Sequence, residues 1–148
     1  DIFLPAFAIM ATGLNACTDP MQDERREFAE LTALIDAVGA DADPGWMDRL
    51  DAVKALSIRS RRVQDLRRTC VSAYETWAES AARMAKARKQ NQSLERALRS
   101  GEPSAALVRR HTEANTAIND TKVLLDSAET MVNQCTASRR ALDAQLRK

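Results

Sequence analysis

LVRRHTEANTAINDTKVLLDSAETMVNQCTASRRALDAQL, running from Leu107 to Leu146, carries one repeating signal from end to end. Leu107, His111, Ala114, Ile118, Thr121, Leu125, Ala128, Val132, Cys135, Arg139, Leu142 and Leu146 alternate steps of four and three residues without a break. Steps of that kind keep one stripe of a helix turned toward a neighbouring helix, as in a coiled-coil seam. The preceding stretch repeats the pattern through Val63, Leu66, Cys70, Ala73, Trp77, Met84, Ala87, Asn91, Leu94 and Leu98. Between the two lies Ser100-Gly101-Glu102-Pro103, a turn composition. The spacing therefore predicts two long helices folded back on each other.

In an antiparallel pair, facing residues have position numbers with a constant sum. Leu98 with Leu107, Leu94 with His111, Trp77 with Ala128, Ala73 with Val132 and Val63 with Leu142 all share one sum. Cys70 with Cys135 shares it too, although the apolar spacing and the turn define this register without reference to the cysteines. A disulfide needs Cα atoms within about 7 Å, and the neighbouring Ala73/Val132 layer is small enough to permit that approach. The alternative is two free thiols filling seam positions as small hydrophobes; the shared register favours the bond. A structural disulfide in turn implies an oxidising compartment.

The rest of the composition agrees with helix. The 148 residues are 29% charged and 4% aromatic, with only four Gly and four Pro, and no β-branched or aromatic run predicts a strand. With few large side chains, the core is expected to be a thin seam and the molecule a rod. Asp19-Pro20 opens a helix with a capping residue and a first-turn proline. Phe28, Leu31, Leu34, Ile35 and Val38 form its apolar face, and Gly39 is placed to end it. Asp41-Ala42-Asp43-Pro44-Gly45 is a tight link, and Asp43-Pro44 starts the next helix. A second constant sum relates Val38 to Trp46, Leu31 to Val53 and Phe28 to Leu56, so the first helix folds back on the start of the second.

The expected fold is all-α: a long antiparallel helical hairpin, coiled-coil-like, with an additional N-terminal helix, making a three- to four-helix elongated bundle. Helices are expected over about 20–38, 44–99 and 104–147, in one helical domain spanning 17–148. The apolar seam lapses at Ser57-Ile58-Arg59-Ser60. A break there would allow a compact four-helix bundle, but the reading favours a continuous or merely bent helix, roughly 80 Å long from Trp46 to Leu98 at 1.5 Å per residue.

The search for chemistry returns little. His111 is the single histidine and falls on the seam opposite Leu94. Metal sites in helical bundles use several inward carboxylates and histidines, commonly as Glu-x-x-His pairs, and the chain has none of these pairs. A seam histidine is the expectation, with no metal and no cofactor. Nucleophilic catalysis needs an oriented base beside the nucleophile, and Cys70 and Cys135 already have a structural use. The glycines are scattered, so no phosphate-cradling loop is expected. Glu75 and Glu79 share a helix face, which is ordinary for a charged helix. The expectation is a protein that is not an enzyme.

Charge is unevenly spread beneath a formal net of +1. Residues 19–51 are rich in Asp and Glu, whereas around the hairpin tip Arg83, Lys86, Arg88, Lys89, Arg96, Arg99, Arg109 and Arg110 face Glu95 and Glu102 alone. These eight are the candidates for contact with an anionic partner, such as lipid head groups, wall polymers or an acidic protein. Nucleic acid is not expected, because no aromatic residues are interleaved for base stacking. The groups Arg59-Arg61-Arg62 and Arg67-Arg68 read as a solvated face partly paired with nearby Asp.

Ile2 to Leu14 is uncharged and apolar. That is too short for a membrane-spanning helix, which takes about 20 apolar residues, but within the range of a secretory h-region. Leu14-Asn15-Ala16-Cys17 resembles the lipobox of bacterial lipoprotein precursors, in which an aliphatic and a small residue precede the lipidated cysteine. The resemblance implies cleavage after residue 16, acylation of Cys17 and, because Thr18 stands where an inner-membrane retention signal has Asp, an outer-membrane destination facing the periplasm. A lipidated Cys17 would also account for the odd cysteine. The functional expectation is a cell-envelope lipoprotein acting as a structural or protein-interaction module. Its partners would be the membrane through Cys17, an envelope protein and, as a further option, a second copy of itself. The alternatives are a soluble coiled-coil adaptor or phage-type envelope component whose residues 1–16 persist as an apolar arm, and a binder of anionic polymers through the tip.

Overall fold

The computed structural model describes residues 19–39, 45–101 and 104–148. Four helices follow in chain order: α1 Pro20–Gly39, α2 Trp46–Ala55, α3 Arg61–Ser100 and α4 Ala105–Leu146. No strand occurs among the described residues. The all-α class and the hairpin are as the seam predicts, with α3 and α4, of 40 and 42 residues, running about 60 Å each. The Asp41–Pro44 link, the Glu102-Pro103 part of the turn and Cys17 with its preceding segment lie outside the described residues.

At the start of α1, Asp19 Oδ1 accepts the N–H of Met21 at 3.0 Å and the Asp19 carbonyl accepts those of Gln22 and Asp23. Pro20 occupies a position whose N–H would have no helical partner. From there α1 lays Phe28, Leu31, Ile35 and Val38 onto Leu50, Val53 and Ile58, and the same core runs on through Val63, Leu66, Cys70, Ala73, Cys135, Leu142 and Leu146. Leu31, Leu50, Val53 and Val63 are almost wholly inaccessible, and each contributes about 1.5–3 kcal/mol of burial free energy. The core is therefore concentrated at one end of the hairpin, where four helices meet.

The expected continuous helix through residue 57 is not found. α2 ends at Ala55, and Leu56 turns to extended backbone at φ −59°, ψ 127° before Ser60 caps α3. Side chains from elsewhere satisfy the interruption. Glu27, a buried carboxylate on α1, accepts the N–H of Arg59 at 3.0 Å on one oxygen and that of Ser60 at 2.9 Å on the other. Arg67 donates to the carbonyls of Lys54 and Leu56, and Gln64 to that of Ile58, so the end of α2 is not left with bare acceptors. The break lets Ile58 enter the core and lets α2 fold alongside α3 instead of extending it.

Glu24, one turn before Glu27, takes the Ser60 hydroxyl and the Arg62 guanidinium. The Arg62 hydrogen bond holds its carboxyl below the ordinary value of 4.5, against the opposing effect of burial. A carboxyl depressed in the folded state stabilises the fold at any pH above its unfolded value, and that contribution is lost as pH falls through the folded value. Thermal melts from neutral pH down to about 3 should therefore show wild type losing stability more steeply below pH 4.5 than Glu24→Gln. Parallel curves would mean that the pair contributes nothing.

Glu24 beside Arg62 and Asp36 near Tyr74 have the same offset in sequence, so α1 runs parallel to α3. Arg25 donates to the Leu146 carbonyl at 2.6 Å, and Arg139 pairs with Asp36. The start of α1, the start of α3 and the end of α4 thus share one end of the molecule, the base, and the α3–α4 turn lies at the other.

Candidate functional site: the hairpin arm and its basic tip

Beyond Tyr74 and Met131 the four-helix core gives way to a two-helix arm. Its junction with the base is closed by the Cys70–Cys135 disulfide, with S–S 2.04 Å and Cα–Cα 4.9 Å across 65 residues of sequence. Both half-cystines are buried, and Ala73, one turn along α3, and Ala128, two turns along α4, are wholly so. Alanine at these layers is what allows the backbones to approach so closely.

In the register set by the disulfide, large residues along the arm face small ones: Leu125 opposite Ser80, Met84 opposite Thr121, Ile118 opposite Ala87. Ser80, Met84, Ala87 and Thr121 are all buried. Alternation of this kind fills a narrow seam without voids and disfavours a slipped pairing. Ser80 belongs to the seam although its polarity hid it in the sequence; its signal was the heptad step from Trp77 to Met84 alone. Trp77 departs from expectation in the other direction, since 42% of it remains exposed. The indole is too large for a layer this tight and sits outside it. Trp46 packs on the core as expected, and half-buried Tyr74 joins it there, its hydroxyl pushed above the ordinary value by burial.

His111 reaches the seam near the tip. Its Nε2 lies 4.0 Å from Glu95 Oε1, beyond hydrogen-bond distance, and is buried without a partner. Asn91 donates to Glu95 at 2.9 Å, leaving its own Oδ1 buried and unpartnered. This polar layer interrupts an otherwise apolar seam. It holds no general base aimed at a nucleophile, and no group of three or more His, Cys, Asp or Glu that could hold a metal ion occurs among the described residues.

All eight basic candidates are exposed. Arg83 pairs with Glu79, while Arg99–Glu95 and Arg109–Glu113 are long contacts of 3.9 and 3.8 Å between exposed groups, which tie up little charge. Among the described residues Arg96 donates only to the Gln92 carbonyl. Lys86, Arg88, Lys89 and Arg110 have no carboxylate partner among the described residues. At the apex Val108 is 47% exposed, with half-buried Leu98 and Leu107 beside it. Gly101 has φ −161°, extended backbone open to any residue, and a Cβ there would meet nothing within 4 Å. The bend therefore does not depend on glycine.

Of the arginines nearer the base, Arg68 pairs with Asp65, as the sequence suggests, while Arg67 covers the end of α2 and Arg62 holds Glu24, uses that the sequence did not reveal. Glu75 pairs with Lys54 and Glu79 with Arg83. An open groove of about 630 Å³ lies between α1 and the end of α4 over Phe28, Thr32 and Leu146. Its rim charges Arg25, Asp36 and Asp143 are engaged by Leu146, Arg139 and Arg147, and the Thr32 hydroxyl in its lining is buried without a partner. No helix among the described residues is long and apolar enough to cross a membrane.

Comparison with protein-family models, curated proteins and solved structures finds no match to this chain.

Proposed function

We propose that this chain is an exported, lipid-anchored, non-catalytic module of the bacterial cell envelope, in which a four-helix base carries the anchor and the arm holds a contact surface away from it. The observation that carries the reading is the Cys70–Cys135 disulfide, buried at the junction of base and arm with its Cα atoms 4.9 Å apart. Structural disulfides persist in oxidising compartments and are rare where thiols are kept reduced. The lipobox-like Leu14-Asn15-Ala16-Cys17 supplies a route to such a compartment, and Thr18 after the cysteine favours the outer membrane. Cys17 precedes α1 by only a few residues, and α1 starts at the base, so an acyl group on Cys17 would tether the end opposite the tip.

The test is mass spectrometry of the natively expressed protein. Expected are an N-terminal peptide beginning at acylated Cys17 and an intact Cys70–Cys135 linkage before reduction. An intact peptide through Ile2 to Ala16 with a free Cys17 thiol would overturn the anchor and favour the soluble adaptor with a retained apolar arm.

A further inference from the structure

We infer that the arm's tip docks on a bilayer rich in anionic phospholipid, using its cations for head-group phosphates and Val108 with its neighbours for the acyl boundary. The inference rests on the tip being the contact surface, as proposed above, and names its partner.

Three observations point to a membrane in preference to a small anion or a soluble polymer. First, Lys86, Arg88, Lys89 and Arg110 lack carboxylate partners among the described residues, and Arg83, Arg96, Arg99 and Arg109 are also exposed. These positions do not converge on one point; Arg96, Arg99, Arg109 and Arg110, nearest the turn, are the ones that can meet an extended field of phosphates with the apex facing it. Second, the grooves over Phe28, Leu66 and Val71 lie toward the base, and none of the eight tip cations lines them. Third, the apex is apolar as well as basic. Val108 is 47% exposed and Leu98 and Leu107 are half-buried, with Arg96, Arg99, Arg109 and Arg110 close by in sequence. Apolar side chains ringed by arginine match the boundary between head groups and acyl chains, whereas a hydrophilic polymer gains nothing from them.

The charge distribution also sets direction. The base mixes both signs: on α1, Asp23 and Glu24 pair with Arg26 and Arg62 and Glu27 is buried, so its attraction to an anionic surface is weak beside that of the tip. With α3 about 60 Å long, tip and base are separated by several Debye lengths at physiological salt. The tip therefore interacts with a surface on its own terms.

Vesicle co-sedimentation tests this on the full chain carrying Cys17→Ser, so that no acyl group is present. Vesicles of phosphatidylcholine alone are compared with vesicles containing phosphatidylglycerol, at low and high salt. The difference between the two lipids separates charge-dependent binding from any apolar affinity of residues 2–14, and the charge-reversal variant assigns it to the tip. Each basic residue near an anionic bilayer strengthens binding about fivefold. The combined variant Arg96→Glu, Arg99→Glu, Arg109→Glu and Arg110→Glu should therefore lose at least tenfold in phosphatidylglycerol-dependent binding, with an unchanged melt and disulfide, since all four side chains are exposed. Val108→Ser should weaken vesicle binding about threefold and leave retention on immobilised heparin unaltered.

Equal binding to both lipids, or an undiminished phosphatidylglycerol preference in the quadruple variant, overturns the inference. Tighter salt-sensitive binding to heparin or duplex DNA than to vesicles, with no effect of Val108→Ser, assigns the tip to a polymer instead. An unlipidated Cys17 in the native protein would refute the anchor and leave this result standing.

Discussion

Replacing Cys70 and Cys135 together by alanine is expected to lower the stability of the fold by about 4 kcal/mol, the chain-entropy value for a loop of this length. For a chain of this size that corresponds to a fall in Tm of roughly 12 °C. The loss should not be spread evenly. The base has its own core of Leu31, Leu50, Val53 and Val63, whereas the arm is a two-helix seam in which each of Met84, Ile118 and Leu125 meets only a threonine, alanine or serine. Hydrogen exchange should show the arm between Trp77 and Ala128 opening first in the double variant, with the amides of α1 and α2 still protected. Wild type in reductant should behave like the variant. A Tm within about 3 °C of wild type would mean that the seam alone holds the arm, and the bond would then be an ornament of the fold.

The second large effect is expected at Glu27. Glu27→Ala removes the acceptor for the N–H groups of both Arg59 and Ser60 in a part-buried setting. Hydrogen bonds to a charged acceptor contribute about 1.5–3 kcal/mol, and unpartnered donors add their own desolvation cost, so a loss of about 3 kcal/mol in urea denaturation is expected. Glu27→Gln should recover little, because an amide offers one acceptor where two are needed and turns its NH2 toward a donor. Exposed Glu30, one turn along the same helix, is the control, and Glu30→Ala should be close to neutral. A loss under 1 kcal/mol for Glu27→Ala would show that the α2–α3 link is held by Arg67 and Ile58 without it.

These two sites differ in how far the sequence revealed them. The cysteine pair was legible because it lies on a periodic seam: every position named from Leu107 to Leu146 is buried or half-buried, and a repeat of that length leaves one antiparallel register. The α1–α2 pairing was legible for the same reason, and Leu31 and Val53 do meet in one core. The interruption at Leu56–Ser60 was not, because what permits it is not local. The serines there mark a weak helix, but only the approach of α1 brings a carboxylate to the exposed N–H groups, and only α3 brings Arg67 to the carbonyls of α2. Glu27 in the sequence is one acidic residue among many at the start of a charged helix. Trp77 was misplaced by the same periodic reasoning that succeeded elsewhere, since spacing registers position and not the width of the layer to be filled. At the tip, the basic residues were visible as a charge imbalance, while their exposure, and the apolar apex at Val108 between them, required the fold.

The crosslink at the neck has a topological consequence. Residues 71–134 form, with the two half-cystines, a closed covalent ring whose far edge is the α3–α4 turn. A protease that cuts that edge, or any peptide bond around the circumference, opens the ring without dividing the molecule. The severed strands stay tied at their foot, and the terminal segments on either side remain one body until the sulfur bridge itself is reduced.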